Sequence, residues 1–293
     1  MRARLLLPLL FLSGCALDAG ESFATLEPTV SASYTPLSSR DAGNGFQQLA
    51  SDFQVRLDAA SLGLSHVELL SAASSGGSSG GGGSGETFDP ANPPPGYTLC
   101  HSGHCHRDDG ALVSYEDVQA ELNGGGGATS SLVAALHVDA DLDLLASQTL
   151  TPECEPDCEL PKGTLTGAHW DVMALRLQGA VRDHRATPRF VGERPFRLDL
   201  AVEGEEEEDV EPLAELSGAL DVPADREHEP RVKLALALAV APTLFDTLDW
   251  AATTPGADGV VDLGAPENEA VRKQLLEALA KLRPEAEVSR EDR

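Results

Sequence analysis

The stretch Val232-Lys233-Leu234-Ala235-Leu236-Ala237-Leu238-Ala239-Val240 alternates without a break: a branched apolar residue at every second position, Lys or Ala between. Successive side chains of an extended chain point to opposite faces, so period two gathers the five branched residues on one face of a strand. A run apolar on both sides suits a strand inside a sheet. The period recurs upstream. Met173, Leu175 and Leu177 alternate with Arg176 and Gln178, and Phe196, Leu198, Leu200 and Val202 alternate with Arg197, Asp199 and Ala201. Apolar segments around Phe53–Leu57, Leu62–Leu70 and Leu132–Leu145 read as further strands. The fold class expected is mostly β, an antiparallel β-sandwich. The period changes only near the end. Val271, Leu275, Leu279 and Leu282 form one stripe, with Leu276 beside it, between Pro266 and Pro284. That spacing predicts a C-terminal amphipathic helix over Glu267–Leu282, docked on the sheet by its stripe. The phrase Leu244–Trp250 is expected to turn across one end of the sandwich.

Hydrophobic residues make up 41% of the 293 and aromatic ones only 4%, so the core has to be aliphatic. Acids outnumber bases 48 to 21, a formal charge of −27. Phosphate backbones demand a basic surface, so nucleic acid is not an expected partner; a strongly negative surface attracts cations instead. There is no H-E-x-x-H, phosphate-binding loop or dinucleotide fingerprint. Gly77-Ser78-Ser79-Gly80-Gly81 fits a nucleophile elbow by letter only, because no strand precedes it. The acidic run Glu203–Asp209 lacks calcium-loop spacing and reads as a charged loop. An enzyme is therefore the lesser reading.

The N-terminus carries an address. Arg2 and Arg4 precede an apolar run over Leu5–Leu12, too short to span a bilayer, and small residues follow. The junction Leu12-Ser13-Gly14-Cys15 resembles the lipobox of bacterial lipoproteins. That resemblance implies cleavage after residue 14, acylation of Cys15, and a chain held extracytoplasmically by acyl chains in a leaflet, with the outer membrane the expected location. The leaflet is one expected partner and another envelope protein the second. A signal peptide over 1–14, a lipidated Cys and flexible tether over 15–48, a sandwich domain over 49–283 and a tail over 284–293 follow as the expected organisation. Leu142-Asp143-Leu144-Leu145, then Leu160-Pro161-Lys162-Gly163, then an alternating strand, resembles secreted bacterial β-sandwich lipoprotein domains of unknown function. The resemblance implies a fold and no activity.

Two glycine-rich runs, the Gly/Ser stretch 74–85 and Gly124–Gly127, bracket a segment with its own turn signals, read as an insertion over 74–128 on glycine hinges. It holds Cys100-His101-Ser102-Gly103-His104-Cys105-His106-Arg107-Asp108-Asp109. Three of the eight His and two of the five Cys thus fall within seven residues. After it, Ser114–Leu122 reads as a short capped helix. Imidazole and thiolate suit zinc and copper, so one reading is a transition-metal site through His101, His104 and His106, with Cys100 and Cys105 as ligands or as a disulfide. His104 and His106 share a face if the segment is extended; Asp108 and Asp109 would orient a ring. A second reading is covalent c-type haem, the spacing C-x4-C-H expanding the usual attachment motif with His106 as axial ligand. A third is structural: Cys100–Cys105 and Cys154–Cys158 each close a small disulfide loop in an oxidising compartment. The reading carried forward is a cell-envelope lipoprotein that binds or carries copper or zinc. The histidines at 66, 137, 169, 184 and 228 look scattered and read as surface or core residues.

Overall fold

The computed structural model describes residues 23–72, 88–101, 104–107, 112–115, 118–119, 130–202, 211–225, 227–228 and 230–290. Residues 1–22 with Cys15 among them, both glycine runs, Asp108, Asp109 and the acidic run at 203–209 lie outside them. In chain order the strands are β1 (Ala24–Tyr34), β2 (Gln47–Gln48), β3 (Phe53–Ala72), β4 (Tyr97–His101), β5 (His104–Arg107), β6 (Leu112–Ser114), β7 (Ser130–Asp143) and β8 (Thr149–Leu150). There follow β9 (Glu153–Glu155), β10 (Glu159–Leu160), β11 (Gly163–Asp183), β12 (Glu193–Ala201), β13 (Ala214–Ala224), β14 (Arg231–Val240), β15 (Val261–Asp262) and β16 (Glu285–Arg290).

They form a mostly-β sandwich of two sheets. The smaller is ordered β10-β1-β14-β16, with β8 also on β1; the larger runs β15-β12-β11-β3-β7-β6-β5-β4, with β13 on β11, β2 on β3 and β9 on β7. One hydrophobic cluster draws on both: Leu26 and Val30 of β1, Leu234 and Leu236 of β14, Leu62 and Val67 of β3, Leu175 of β11 and Leu216 of β13. The alternation of β14 appears as read, Val232 through Val240 buried and Lys233 with its alanines exposed. The strand sits between β1 and β16, yet its alanine face meets solvent.

Pairing is not wholly antiparallel. β1 lies parallel to β14 in a register from Thr25↔Arg231 to Tyr34↔Val240, and β12 lies parallel to β15. Parallel neighbours need a crossover connection, and here the chain between β1 and β14 builds nearly all of the larger sheet.

Two sequence-drawn boundaries move. The tether expected over 15–48 is folded from Ala24: β1 buries Ala24, Leu26, Pro28, Val30 and Ala32 on one face, a pattern its Ser and Thr content disguises. Phe46 is also buried, with the guanidinium of Arg182 over its ring at 3.6 Å. At the other end, the tail expected over 284–293 contributes β16, whose Ala286 and Val288 pack against the core beside β14.

The C-terminal helix spans Glu269–Leu279 and buries Val271, Leu275 and Leu279. Pro266–Asn268 forms a 3-10 turn rather than its first turn. Asn268 is occupied elsewhere: its Nδ2 donates to the carbonyls of Thr254 at 3.0 Å and Asp262 at 2.8 Å. At that end Leu244, Phe245 and Trp250 are buried, and the rings of Phe196 and Trp250 lie 5.1 Å apart.

Candidate metal centre

The insertion does not hang free of the sandwich. Leu112 on β6 pairs with Leu132 on β7, and β5 and β4 follow antiparallel, so the insertion extends the larger sheet. A small core of its own, Cys100, Cys105, Val113 and Val118 with Phe88, Tyr97 and Tyr115 against it, holds it together. Tyr115, Val118 and Gln119 are helical, in line with the short helix read there. Gln119 Oε1 accepts from the Phe88 backbone N–H at 2.6 Å.

Within this hairpin Cys100 faces Cys105 and His101 faces His104. Cys100 and Cys105 are disulfide-bonded, as are Cys154 and Cys158, so both disulfide pairings of the structural reading are present. Of the two roles left open for Cys100 and Cys105, the disulfide is the one found; their sulfurs are joined to each other rather than offered as thiolates. The haem reading needs the same two sulfurs as thioethers. The segment is extended, which puts His104 and His106 on one face and Cys105 on the other. Their rings lie 5.3 Å apart; His104 is wholly buried and His106 half-buried. His101 is placed by backbone register only, and its side chain lies outside the described residues.

A third ligand comes from an unexpected place. Glu155 on β9 stands with His104 and His106 so that one ligand atom from each lies within 4.8 Å of the others. β9 reaches this point because it pairs with β7 through Ala135↔Glu155 and His137↔Glu153, while β6 pairs with the same strand at Leu132. His137, two residue pairs along and so on the same face, donates from Nε2 to Glu155 Oε2 at 2.8 Å and holds the carboxylate. Two imidazoles and a carboxylate are a known zinc donor set that leaves a coordination position open. With the sulfurs oxidised, the donors are nitrogen and oxygen, which suit zinc or copper(II) rather than copper(I).

The row continues across the sheet. His137 faces His66 on β3, and Nε2 of His66 lies 3.0 Å from Oδ2 of Asp171 on β11. Burial disfavours the charged His66 ring, but Asp171, Glu68 and Asp139 outweigh it and raise its pKa above the ordinary histidine value. Sequence reading missed Glu155, His137 and His66. The signal available for His66 was His66-Val67-Glu68, two ionisable groups flanking a core residue on a strand; His169-Trp170-Asp171 repeats it.

Comparison of the whole chain with protein-family models, with curated proteins and with solved structures finds no match in any of the three.

Proposed function

We propose that this chain is an envelope lipoprotein, anchored through Cys15, that binds or carries zinc or copper(II) through His104, His106 and Glu155. The observation that carries this is the convergence of those three side chains, brought from the insertion and from β9 to one edge of β7. His137 orients Glu155 as a second hydrogen-bonded layer, the arrangement that fixes ligand geometry in metal sites. Three protein ligands leave a position for water or for a donor group on a partner, which suits a protein that hands its metal on. The net charge of −27 raises cation concentration at the surface. His101, adjacent in register to His104, is the further imidazole within this hairpin.

The test is native mass spectrometry of the purified protein offered Zn2+ and Cu2+ separately, before and after chelation. Metal mass lost to the chelator, and reduced in a His104→Ala/His106→Ala variant, is the expected result. An unchanged metal count in that variant contradicts the site. Extra mass equal to haem that survives denaturation would replace this reading with electron transfer.

A further inference from the structure

We infer that a second cation site, independent of the first, lies on the same sheet at His169, Asp171 and Glu215, and that it takes a divalent first-row ion of the zinc type. One ligand atom from each of the three lies within 4.8 Å of the others. The placement follows from register: β11 supplies His169 and Asp171, two apart and so on one face, and β13 sets Glu215 directly opposite Asp171. Trp170 between them is buried on the other face, which pins the strand and holds both ligands outward. His169 Nε2 is buried without a hydrogen bond among the described residues, and Glu215 Oε2 stands 3.7 Å from it, too far for one. A buried ring nitrogen facing a carboxylate across such a gap has the spacing that a shared ion fills, since zinc bonds to nitrogen and oxygen are each roughly 2.0–2.2 Å.

The neighbours complete a second layer. His66 Nε2 lies 3.0 Å from Asp171 Oδ2 and 4.0 Å from Glu68 Oε1, so it is positioned to hold the carboxylate that would ligate the ion. Ser65 Oγ lies 3.1 Å from His66 Nδ1 and fixes the ring from its other side. The side chains of His66, His169 and Asp171 are 12%, 18% and 21% exposed, sheltered enough to strengthen ligation and open enough for an ion to enter. One imidazole and two carboxylates make a harder donor set than that at His104, so the two sites differ in preference: nitrogen-rich at the insertion, oxygen-rich on β11 and β13.

The experiment uses the full chain in detergent and Zn2+ alone, with bound metal counted after equilibration against a chromophoric chelator. Four proteins are compared: the parent, His104→Ala/His106→Ala, His169→Ala/Glu215→Gln, and the combined variant. Two ions in the parent, one in each double variant and none in the combined one is the expected series. If His169→Ala/Glu215→Gln retains the parent's count and affinity, the second site is wrong while the first stands. If His104→Ala/His106→Ala alone retains the parent's count, the first reading fails and the second survives. Asp171→Asn, nearly the same shape, serves as the second variant in case the double variant does not fold. It is expected to weaken the second ion at least tenfold while the circular-dichroism spectrum stays that of the folded chain, and unchanged affinity overturns the inference.

Discussion

Gly179 sits where the two longest strands and β12 meet, opposite Leu57 on β3 and Phe196 on β12. A methyl group added there would lie 2.0 Å from the Arg56 carbonyl oxygen and 3.0 Å from two carbons of the Phe196 ring. Ordinary contact between carbon atoms is about 3.5–4.0 Å, so the backbone of β3 would have to retreat by more than roughly 1 Å while the ring also gives way. Overpacking a dense core costs about 1–3 kcal/mol. Because the nearer obstacle is main chain in a central strand rather than a side-chain tip, the upper end applies. In a domain of this size about 3 kcal/mol corresponds to a fall of roughly 6–12 °C in Tm. Gly163→Ala is the control, at an end of the same strand, where an added methyl meets nothing within 4 Å. Thermal unfolding of Gly179→Ala and Gly163→Ala, followed by circular dichroism with disulfides intact, reads the difference. A Gly179→Ala protein melting within about 1 °C of the parent would refute this packing of β3, β11 and β12.

Other outcomes follow from the same structure. Asp183 accepts from Arg185 Nη2 at 2.6 Å, from Arg185 Nε at 2.9 Å and from the backbone N–H groups of Arg185 and Arg189, and its side chain is fully covered. The Arg185 guanidinium foremost, then the backbone donors, holds its carboxyl far below the usual carboxylate range. A lowered folded pKa contributes stability that is complete above the unfolded value of about 4 and is lost as pH falls below it. The urea midpoint of the parent is therefore expected to drop more steeply between about pH 5 and pH 2 than that of Asp183→Asn. Asp246 takes both Nη atoms of Arg40, at 2.6 and 2.9 Å, and the Ala50 backbone N–H. Asp246→Ala is expected to lose about 2 kcal/mol by urea titration. Glu269→Ala, which removes the exposed Lys273 pair, is expected to leave the urea midpoint essentially unchanged. Replacing Cys100 and Cys105 together by Ser opens a small loop, a loss of about 2 kcal/mol. Hydrogen exchange should rise in β4 and β5 and stay unchanged in β14, since the insertion has its own core.

What the sequence shows plainly is what one strand carries alone. β14 is legible because its face alternates Val and Leu against Lys and Ala, and the helix because Val271, Leu275 and Leu279 keep helical spacing. β1 is not, because Ser, Thr and Pro28 dilute the same alternation; its buried face comes from pairing with β14, a parallel contact no local pattern announces. The candidate centre divides the same way. His104 and His106 stand out as neighbours in the chain, and extended geometry puts them on one face. Glu155 is hidden inside a disulfide turn, and its role exists only because β6 and β9 share one edge of β7. His66, His137 and His169 look scattered until the register of β3, β7 and β11 aligns them. Cys100 and Cys105 show the converse: sequence proximity to the histidines suggests ligands, but the hairpin register sets the two opposite each other on the other face.

Anomalous diffraction at the zinc edge, from crystals of the zinc-loaded protein, would locate the ion among these side chains. The expected result is a peak bonded to an imidazole nitrogen of His104, one of His106 and an oxygen of Glu155, at about 2.0–2.2 Å each, with His137 still hydrogen-bonded to the carboxylate. Zinc absent from that point, while the metal is demonstrably bound elsewhere on the chain, would contradict it.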